Sequence, residues 1–378
     1  MKYGLLYYKD TDNIGDDIQT YAASRFLPRI DYMIDRENLE GFVPKKKEYV
    51  ATIMNAWYIH DKFNFNISPY IHPLFISMFF KKFPYTKGIT IGTDYINNNV
   101  VETLKKHGPI GARDLHTKKI MDKLGIDNYF SGCMTLTLEK FKEVKREDYI
   151  VVVGLTEDEI DYIKEKTNRP IKIFKQDVKR GSFSHESWDQ RKNRVEKVLK
   201  LYQGAHMIIT SKLHCLLPCL ALETPVTLLY DTSFSENKDR IGTYLNYVNY
   251  VNRKKFKTSN INFEVPAQNP KEYLKLRNSL ISKCNEFIKE AKFKKLDELP
   301  DLDFYIKYVQ ESKNSRKPII KHLKLLTEKY EKECEKASNM YDEINELKNA
   351  YLELEKKYND IVTSKSWKIL EKLRKLKK

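Results

Sequence analysis

Two neighbouring carboxylates, Asp16 and Asp17, are the first residues whose type and position suggest chemistry. They follow a short apolar segment, residues 3–8, and a polar loop that contains one glycine. This order predicts a strand, a turn and the start of a helix, which is where open parallel sheets bind ligands. We expect one carboxylate to cap the helix and the other to face a cleft, where it can accept a proton. The loop has too few glycines for a dinucleotide fingerprint or a P-loop.

Arg113 occupies a similar junction later in the chain. It ends the apolar segment 110–113 and is followed by Asp114 and a helical pattern. A guanidinium at a strand end is suited to a carboxylate or a phosphate. The alternative from spacing alone is a surface ion pair between Arg113 and Asp114.

The third junction carries Ser211, Lys212 and His214 after the buried-type segment 207–210. The free N–H groups at the start of a helix favour an anion there. We expect Ser211 to cap this helix, and Lys212 and His214 to bind a phosphate or to take part in catalysis. A histidine that only packs in an apolar helix is the alternative.

An aromatic-rich stretch, residues 54–85, lies between the first two junctions. Core packing accounts for most of its rings. Trp57 and Tyr58 are the residues that we expect to stack on a sugar or on a lipid-linked acceptor.

Short apolar segments alternate with helical patterns in both halves of the chain, which indicates an α/β protein with parallel sheets. A charged segment, residues 139–148, is the expected hinge between the halves, and residues 270–294 form a long helix that can pack back across the first domain. The predicted strands are residues 3–8, 32–35, 49–54, 88–91, 110–113, 149–155, 171–174, 207–210 and 225–230, and the predicted helices of the second half are residues 157–166, 187–203 and 214–222.

Residues 318–362 carry a heptad pattern. Twelve positions from Leu323 to Ile361 step alternately by three and four residues, and all but Glu333 are apolar. Such a seam predicts a coiled coil with another copy of the chain, although a single helix lying on the body is the alternative.

The last sixteen residues, 363–378, hold seven Lys or Arg against one Glu, with Trp367 and three leucines at helical spacing. A basic amphipathic helix of this kind binds anionic membrane surfaces, and a solvated tail is the alternative.

Composition excludes several classes of protein. With 41% hydrophobic and 32% charged residues, the chain has enough apolar content for a folded core. The net charge of +16 is spread widely and shows no nucleic-acid-binding motif, so we expect no nucleic acid partner. The five cysteines form no CxxC pair, and the packing of Cys215 and Cys219 in an apolar helix is favoured over a metal site. The start resembles no signal peptide and no segment is apolar enough to span a bilayer, so we expect a cytoplasmic protein.

Three motifs in this order resemble one known family, the polysaccharide pyruvyl transferases. They are NIGDD near the start, GARDLHTKKIMDKLGI followed by FSGCMTLTL, and TSKLHCLLPCLALETPVTLLYD followed by DRIGTYL; the intervening NAWYIH and HPLFIS also fit. The resemblance covers roughly residues 1–250. It implies two Rossmann-like domains facing a cleft, as in B-type glycosyltransferases, here residues 1–140 and 149–300. The predicted coiled coil and the basic tail follow them in the chain.

The resemblance also implies an activity: transfer of the enolpyruvyl group of phosphoenolpyruvate to two hydroxyls of one sugar, with no metal or other cofactor. Arg113 and His214 match the family's basic residues for phosphoenolpyruvate, and Lys212 stands where many members have Arg. Ser211 is expected beside them in the donor site. His214 is then the acid, and Asp16 or Asp17 the base.

Two other functions fit the same residues. A nucleotide-sugar glycosyltransferase in polysaccharide assembly would use the same cationic groups for its phosphates. A non-catalytic scaffold would organise a glycan-assembly complex through the coiled coil. For the enzyme, a lipid-linked acceptor at the inner face of the plasma membrane would explain the basic tail.

Overall fold

The computed structural model describes residues 1–11, 13–58, 66–80, 96, 98–179, 181–231, 240–293 and 299–363. Along residues 315–363 it describes the helix backbone and some of the side chains. The described residues divide into two compact units, with the boundary between Ile306 and Lys307.

The first half of the larger unit is built on a parallel sheet of four strands in the order β2-β1-β3-β4. Two shorter parallel strands, β5 and β6, lie beside it through a bridge between Met78 and Ala112. In chain order the elements are β1 (Lys2–Tyr7), α1 (Ile14–Ser24), β2 (Tyr32–Asp35), β3 (Val50–Met54), β4 (Ile71–Phe75), α2 (Asn98–Lys106), β5 (Ile110–Ala112), α3 (Leu115–Lys123) and β6 (Asn128–Phe130).

The second half is built on a parallel sheet of five strands in the order β11-β10-β9-β7-β8. Its strand β7 is a continuous apolar segment, and β9 is apolar except for its last residue, Thr210, as expected of strands buried on both faces. In chain order the elements are β7 (Ile150–Val153), α4 (Glu157–Lys166), β8 (Ile171–Phe174), α5 (Trp188–Gly204), β9 (Met207–Thr210), α6 (Leu213–Ala221), β10 (Val226–Tyr230) and β11 (Asn249–Asn252).

The mixed α/β class with parallel sheets is confirmed. Three strands were missed, and their sequences show why: β4 contains His72 and Pro73, β6 has three residues, and β11 has an Asn at each end. The strand predicted at residues 88–91 lies outside the described residues.

One apolar core joins the two sheets. It combines Ile18 of α1 and Ile53 of β3 with Val151 of β7, Leu199 of α5 and Leu216 of α6. Because α1, α5 and α6 pack in this shared core, the ends of the strands in the two halves are held at fixed positions relative to each other.

The long helix predicted at residues 270–294 is observed as α7 (Leu274–Ala291). It packs against the first half, as expected. The guanidinium of Arg277 donates to the carbonyls of Leu136 and Leu138 at 2.8 and 2.7 Å. The ring of Phe287 lies 5.2 Å from that of His72 on β4.

The last helix, α8 (Leu302–Thr363), has 62 residues and begins well before the predicted heptad segment. The described apolar side chains of the heptad seam are all more than half exposed: Met340, Ile344, Leu347, Tyr351, Leu354 and Tyr358. None of the described helices is long and apolar enough to cross a membrane. The tail from residue 364 to 378 is outside the described residues.

Candidate active site

The start of α1 is capped by Asn13, whose side-chain oxygen accepts from the N–H of Gly15 at 2.7 Å. The expectation that Asp16 or Asp17 caps this helix was therefore wrong. Asn13 comes earlier in the loop and already occupies the capping position. Both carboxylates are consequently available for contacts with other elements.

Asp16 is held by two donors. The hydroxyl of Thr11 donates to Oδ2 at 2.7 Å, and Nη1 of Arg36 lies 3.2 Å from Oδ1. Burial alone would raise the pKa of Asp16, but Arg36, the Thr11 hydrogen bond and the more distant His214 and Arg113 together lower it. The carboxylate is therefore ionised at neutral pH, partly buried and surrounded by cationic or polar groups.

Asp17 is in a different environment. It is completely buried and forms ion pairs with two arginines of α5, at 3.0 Å to Arg191 and 2.7 Å to Arg194. Burial raises the pKa of Asp17, and the two guanidiniums limit that rise. Both of its oxygens have partners, so Asp17 connects the two halves of the unit.

Arg113 follows β5 directly and is 2% exposed. Its Nη1 donates to the side-chain oxygen of Gln19 at 3.2 Å, and its guanidinium lies 4.4 Å from the ring centre of Phe79. Within the described part of the chain, its buried Nε has no hydrogen-bond partner. Asp114 caps α3 instead of forming a surface pair, because it accepts from the N–H of Thr117 at 2.7 Å.

His214 lies in the first turn of α6 and faces the start of α1. A Cβ added at Gly15 would fall 2.5 Å from Nδ1 of His214, so only glycine lets the imidazole approach α1 this closely. The buried Nε2 has no partner among the described residues. Burial and Arg113 lower the pKa of His214 to about 3, although Asp16 opposes the shift. The imidazole is therefore neutral in the free protein at pH 7.

Lys212 and Ser211 lie beside this group but make other contacts. Nζ of Lys212 is 2.5 Å from Oδ2 of Asp177, whose other oxygen accepts from Asn13 at 3.0 Å. The Ser211 hydroxyl donates to the carbonyl of Gly154 at 2.7 Å and does not cap α6. The expected Ser211 cap was thus wrong. No side-chain hydrogen bond caps the first turn of α6, and free N–H groups at the start of a helix favour an anion.

The two predicted acceptor-binding aromatics are placed differently. Tyr58 is fully buried in the core of the first half. Trp57 is partly exposed, and its ring meets that of Phe79 edge-on at 5.2 Å. Since Phe79 also lies under Arg113, Trp57 is connected to the site through one shared ring.

Sequence reasoning missed Arg36 and Gln19. Arg36 comes directly after β2, just as Arg113 comes directly after β5, so its position at a strand end was the available signal. Gln19 follows Asp16 by three residues and therefore lies on the same face of α1. These two residues hold Asp16 and Arg113 in place.

The structure therefore brings Asp16, Arg113 and His214 together from three motifs that are far apart in the sequence. Lys212 lies at the edge of this group. Among the described residues no cluster of His, Cys, Asp and Glu has the form of a metal site.

A cavity of about 560 Å³ lies at the opposite end of α6. Several of its charged lining residues already have partners: Lys140 contacts Glu223 at 2.5 Å, and Arg277 binds backbone carbonyls. This cavity is separate from the group around His214.

Comparison with known proteins gives a family and several distant structural likenesses, two of which are described here. A functionally uncharacterised protein from Klebsiella pneumoniae is 12% identical, with a TM-score of 0.42, over 66% of this chain and 93% of its own. The UDP-GlcNAc 2-epimerase of Methanocaldococcus jannaschii, solved with UDP-GlcNAc and UDP, is 12% identical, with a TM-score of 0.33, over 83% and 100%. Neither likeness is strong enough to transfer a function.

No curated protein matches this sequence. The family model described as polysaccharide pyruvyl transferase matches residues 13–233. That segment contains Asp16, Arg113 and His214 and makes up more than half of the sequence. The chain therefore belongs to the polysaccharide pyruvyl transferase family and is a transferase whose family acts on polysaccharides.

Proposed function

We propose that this protein transfers the pyruvyl group of phosphoenolpyruvate to two hydroxyls of one sugar, in a surface polysaccharide or its lipid-linked precursor. One observation carries the proposal: Asp16, Arg113 and His214 converge, and two of them present buried N–H or ring nitrogen atoms without a partner among the described residues. Phosphoenolpyruvate is an anion, and it fits a site made of a guanidinium, an imidazole and a helix start.

The reaction adds one proton to C3 of phosphoenolpyruvate and removes one proton from each of two sugar hydroxyls. The first sugar hydroxyl forms a bond to C2 of phosphoenolpyruvate while C3 gains a proton and becomes a methyl group. The C2–O bond to phosphate then breaks, and the second hydroxyl bonds to C2 to close the ketal. The hydroxyls lose two protons in total; one balances the proton added to C3, and the other leaves with inorganic phosphate.

Asp16 is the better of the two candidate bases. Its carboxylate is ionised and partly exposed, whereas both oxygens of Asp17 are bound to arginines. We assign Asp16 to the hydroxyl proton and Asp17 to holding α1 in position. Arg113 stabilises the negative charge of the donor and of the leaving phosphate.

His214 begins the reaction as a neutral ring, because burial and Arg113 lower its pKa. The negative charge of a bound donor acts in the opposite direction and raises the pKa of the imidazole. His214 can then be protonated in the complex and serve as the acid for C3. Lys212 can bind the same donor once its ion pair with Asp177 is broken. Ser211 lies beside Lys212 in this donor site.

The proposal also assigns a role to each segment of the whole chain. Residues 1–140 and 149–300 form the two Rossmann-like domains, which face a cleft as in B-type glycosyltransferases. Trp57 lines the acceptor side, and Tyr58 supports it from the core. Residues 318–362 associate with another copy of the chain, and residues 363–378 hold the protein at the anionic inner face of the plasma membrane.

The experiment compares phosphate release from phosphoenolpyruvate, in the presence of glycan acceptor, by the wild type and by His214→Gln. Loss of transition-state stabilisation by about 2–4 kcal/mol would reduce the rate roughly 30- to 1,000-fold. The matched control is His206→Gln, since His206 lies in the same half and contacts the carbonyl of Glu264.

Two outcomes would count against the proposal. A His214→Gln variant with near-normal phosphate release would remove the catalytic assignment. Thermal stabilisation of the wild type by nucleotide sugars, but not by phosphoenolpyruvate, would favour the glycosyltransferase alternative.

A further inference from the structure

Ser77 has an unusual backbone conformation at the end of β4. Its φ angle is +54°, in the left-handed region that favours glycine, and the residue is completely buried. The only other non-glycine residue of the described chain with positive φ is Glu223, which is exposed and ion-paired with Lys140. Strained backbone at a buried position persists only where the surrounding structure enforces it.

Neighbouring segments of the same chain hold Ser77 in this conformation. The backbone N–H of Ser77 donates to Oγ of Ser131 at 3.1 Å, and that hydroxyl donates to the carbonyl of Ala112 at 2.9 Å. A side chain at Gly111 would lie 3.0 Å from both Ser131 and the backbone of Ile76. Ser131 therefore links the ends of β4 and β5 and fixes the direction in which Ser77 leaves the sheet.

The hydroxyl of Ser77 has no hydrogen-bond partner within the described residues, although it is buried. An unsatisfied buried hydroxyl destabilises a fold, and native proteins contain few of them. Ser77 thus combines strained backbone with an unsatisfied side chain. A ligand that accepts a hydrogen bond from the Ser77 hydroxyl would account for both the strained backbone and the unsatisfied side chain.

Ser77 lies next to the site described above. The residue after it, Met78, pairs with the β5 strand end: its N–H donates to Gly111 at 2.9 Å, and its carbonyl accepts from the N–H of Arg113 at 2.7 Å. The guanidinium of Arg113 has its own unsatisfied atom, Nε. Two buried donors without partners therefore belong to residues whose backbones meet at one sheet edge.

We propose that the Ser77 hydroxyl and Nε of Arg113 together bind anionic oxygen atoms of the donor substrate. Both groups donate hydrogen bonds, which is what a carboxylate or phosphate oxygen accepts. A third unsatisfied atom nearby, Oδ1 of Asn55 at the end of β3, only accepts and is therefore not part of this anion subsite. The inference rests on the proposed function and adds a donor-binding residue to it.

The test measures binding of phosphoenolpyruvate to full-length wild type, Ser77→Gly and Ser77→Ala by thermal shift and titration calorimetry. Both variants lack the hydroxyl, and Ser77→Gly also tolerates the positive φ angle. We expect Ser77→Gly to melt no lower than the wild type while its Kd for phosphoenolpyruvate rises about tenfold, as for a lost hydrogen bond to a charged group. We expect Ser77→Ala to lose the same affinity.

The matched control is Thr52→Val, in the adjacent strand β3. Its hydroxyl is also buried but already donates to the carbonyl of Val50 at 3.3 Å, so the Kd should stay at the wild-type value. Unchanged affinity in both Ser77 variants would overturn this inference and would indicate that a trapped water satisfies the hydroxyl. A wild type that does not bind phosphoenolpyruvate would overturn the proposed donor, and this inference with it.

Discussion

At the scale of single residues, environment separates two adjacent carboxylates that the sequence cannot distinguish. Asp16 accepts from Thr11 and Arg36 and keeps part of its surface accessible, while Asp17 is fully enclosed by Arg191 and Arg194. The difference arises because successive residues of a helix point about 100° apart. One carboxylate faces the site, and the other faces the second half of the unit.

The lowered pKa of His214 predicts how stability depends on pH. The folded-state pKa is about 3, below the ordinary value of 6.5. Between these two pH values the unfolded chain therefore binds a proton at His214 that the folded chain does not. Stability from this group is complete above pH 6.5 and is lost as the pH falls toward 3. We therefore expect His214→Gln to lose less unfolding free energy than the wild type between pH 7 and pH 5 in urea titrations.

His206→Gln is the control for this measurement and should follow the wild type. Equal losses in the wild type and in His214→Gln would contradict the assignment of a buried, neutral imidazole.

The sequence predicted the positions of the candidate site residues better than their local contacts. Arg113 and His214 lie at strand-to-helix junctions, as predicted, because such junctions are readable from apolar segments. The capping roles of Asp16, Asp17 and Ser211 were wrong, because Asn13 caps α1 and the hydroxyl of Ser211 donates to the carbonyl of Gly154 instead of lying at the start of α6. Neither the strain at Ser77 nor its unsatisfied hydroxyl has any signature in the sequence, since both depend on contacts with β5.

At the scale of elements, α1 is the helix on which the site depends. It presents Asp16 and Gln19 to the first half, Gly15 to His214 of α6, and Asp17 to α5. Strands with mainly apolar sequence, such as β7 and β9, were predicted closely. The three strands with polar or very short sequences were missed, because pairing with neighbours outweighs their weak intrinsic preference.

The contact between α1 and α5 predicts a large loss of stability in Arg191→Met. Arg191 is buried and also donates to the carbonyls of Tyr8 at 3.0 Å and Lys9 at 2.6 Å. The substitution removes one of the two guanidiniums that pair with the buried Asp17 and takes the donor away from both carbonyls, and loss of one partner of a buried ion pair costs about 3–5 kcal/mol. Urea unfolding should show this loss.

The neighbouring Lys192→Met is the control, because Lys192 forms an exposed contact of 3.9 Å with Glu196. Exposed pairs contribute about 0–1 kcal/mol. Similar urea unfolding midpoints for Arg191→Met and Lys192→Met would show that the Asp17 contacts do not hold the two halves together.

At the scale of the whole molecule, the two units differ in how they bury apolar side chains. The described part of residues 1–306 encloses three apolar clusters, one of them shared by both halves, whereas the described seam of α8 leaves large apolar side chains in solvent. The spacing of this seam was readable from the sequence. The helix is confirmed there, and the partner of the seam stays a prediction.

A second copy of the chain is the partner that the heptad spacing favours, because matching seams pack as knobs into holes along their length. We expect the full-length protein to have an oligomeric mass by light scattering at tens of micromolar. Replacing Ile344 and Leu347 together by Asp places charges in the middle of the seam and should yield monomers. Leu352→Asp is the matched control, since Leu352 is also exposed on α8 but lies outside the heptad positions. A monomeric wild type, or equal dissociation by Leu352→Asp, would argue against a coiled coil and for a helix whose apolar face serves another purpose.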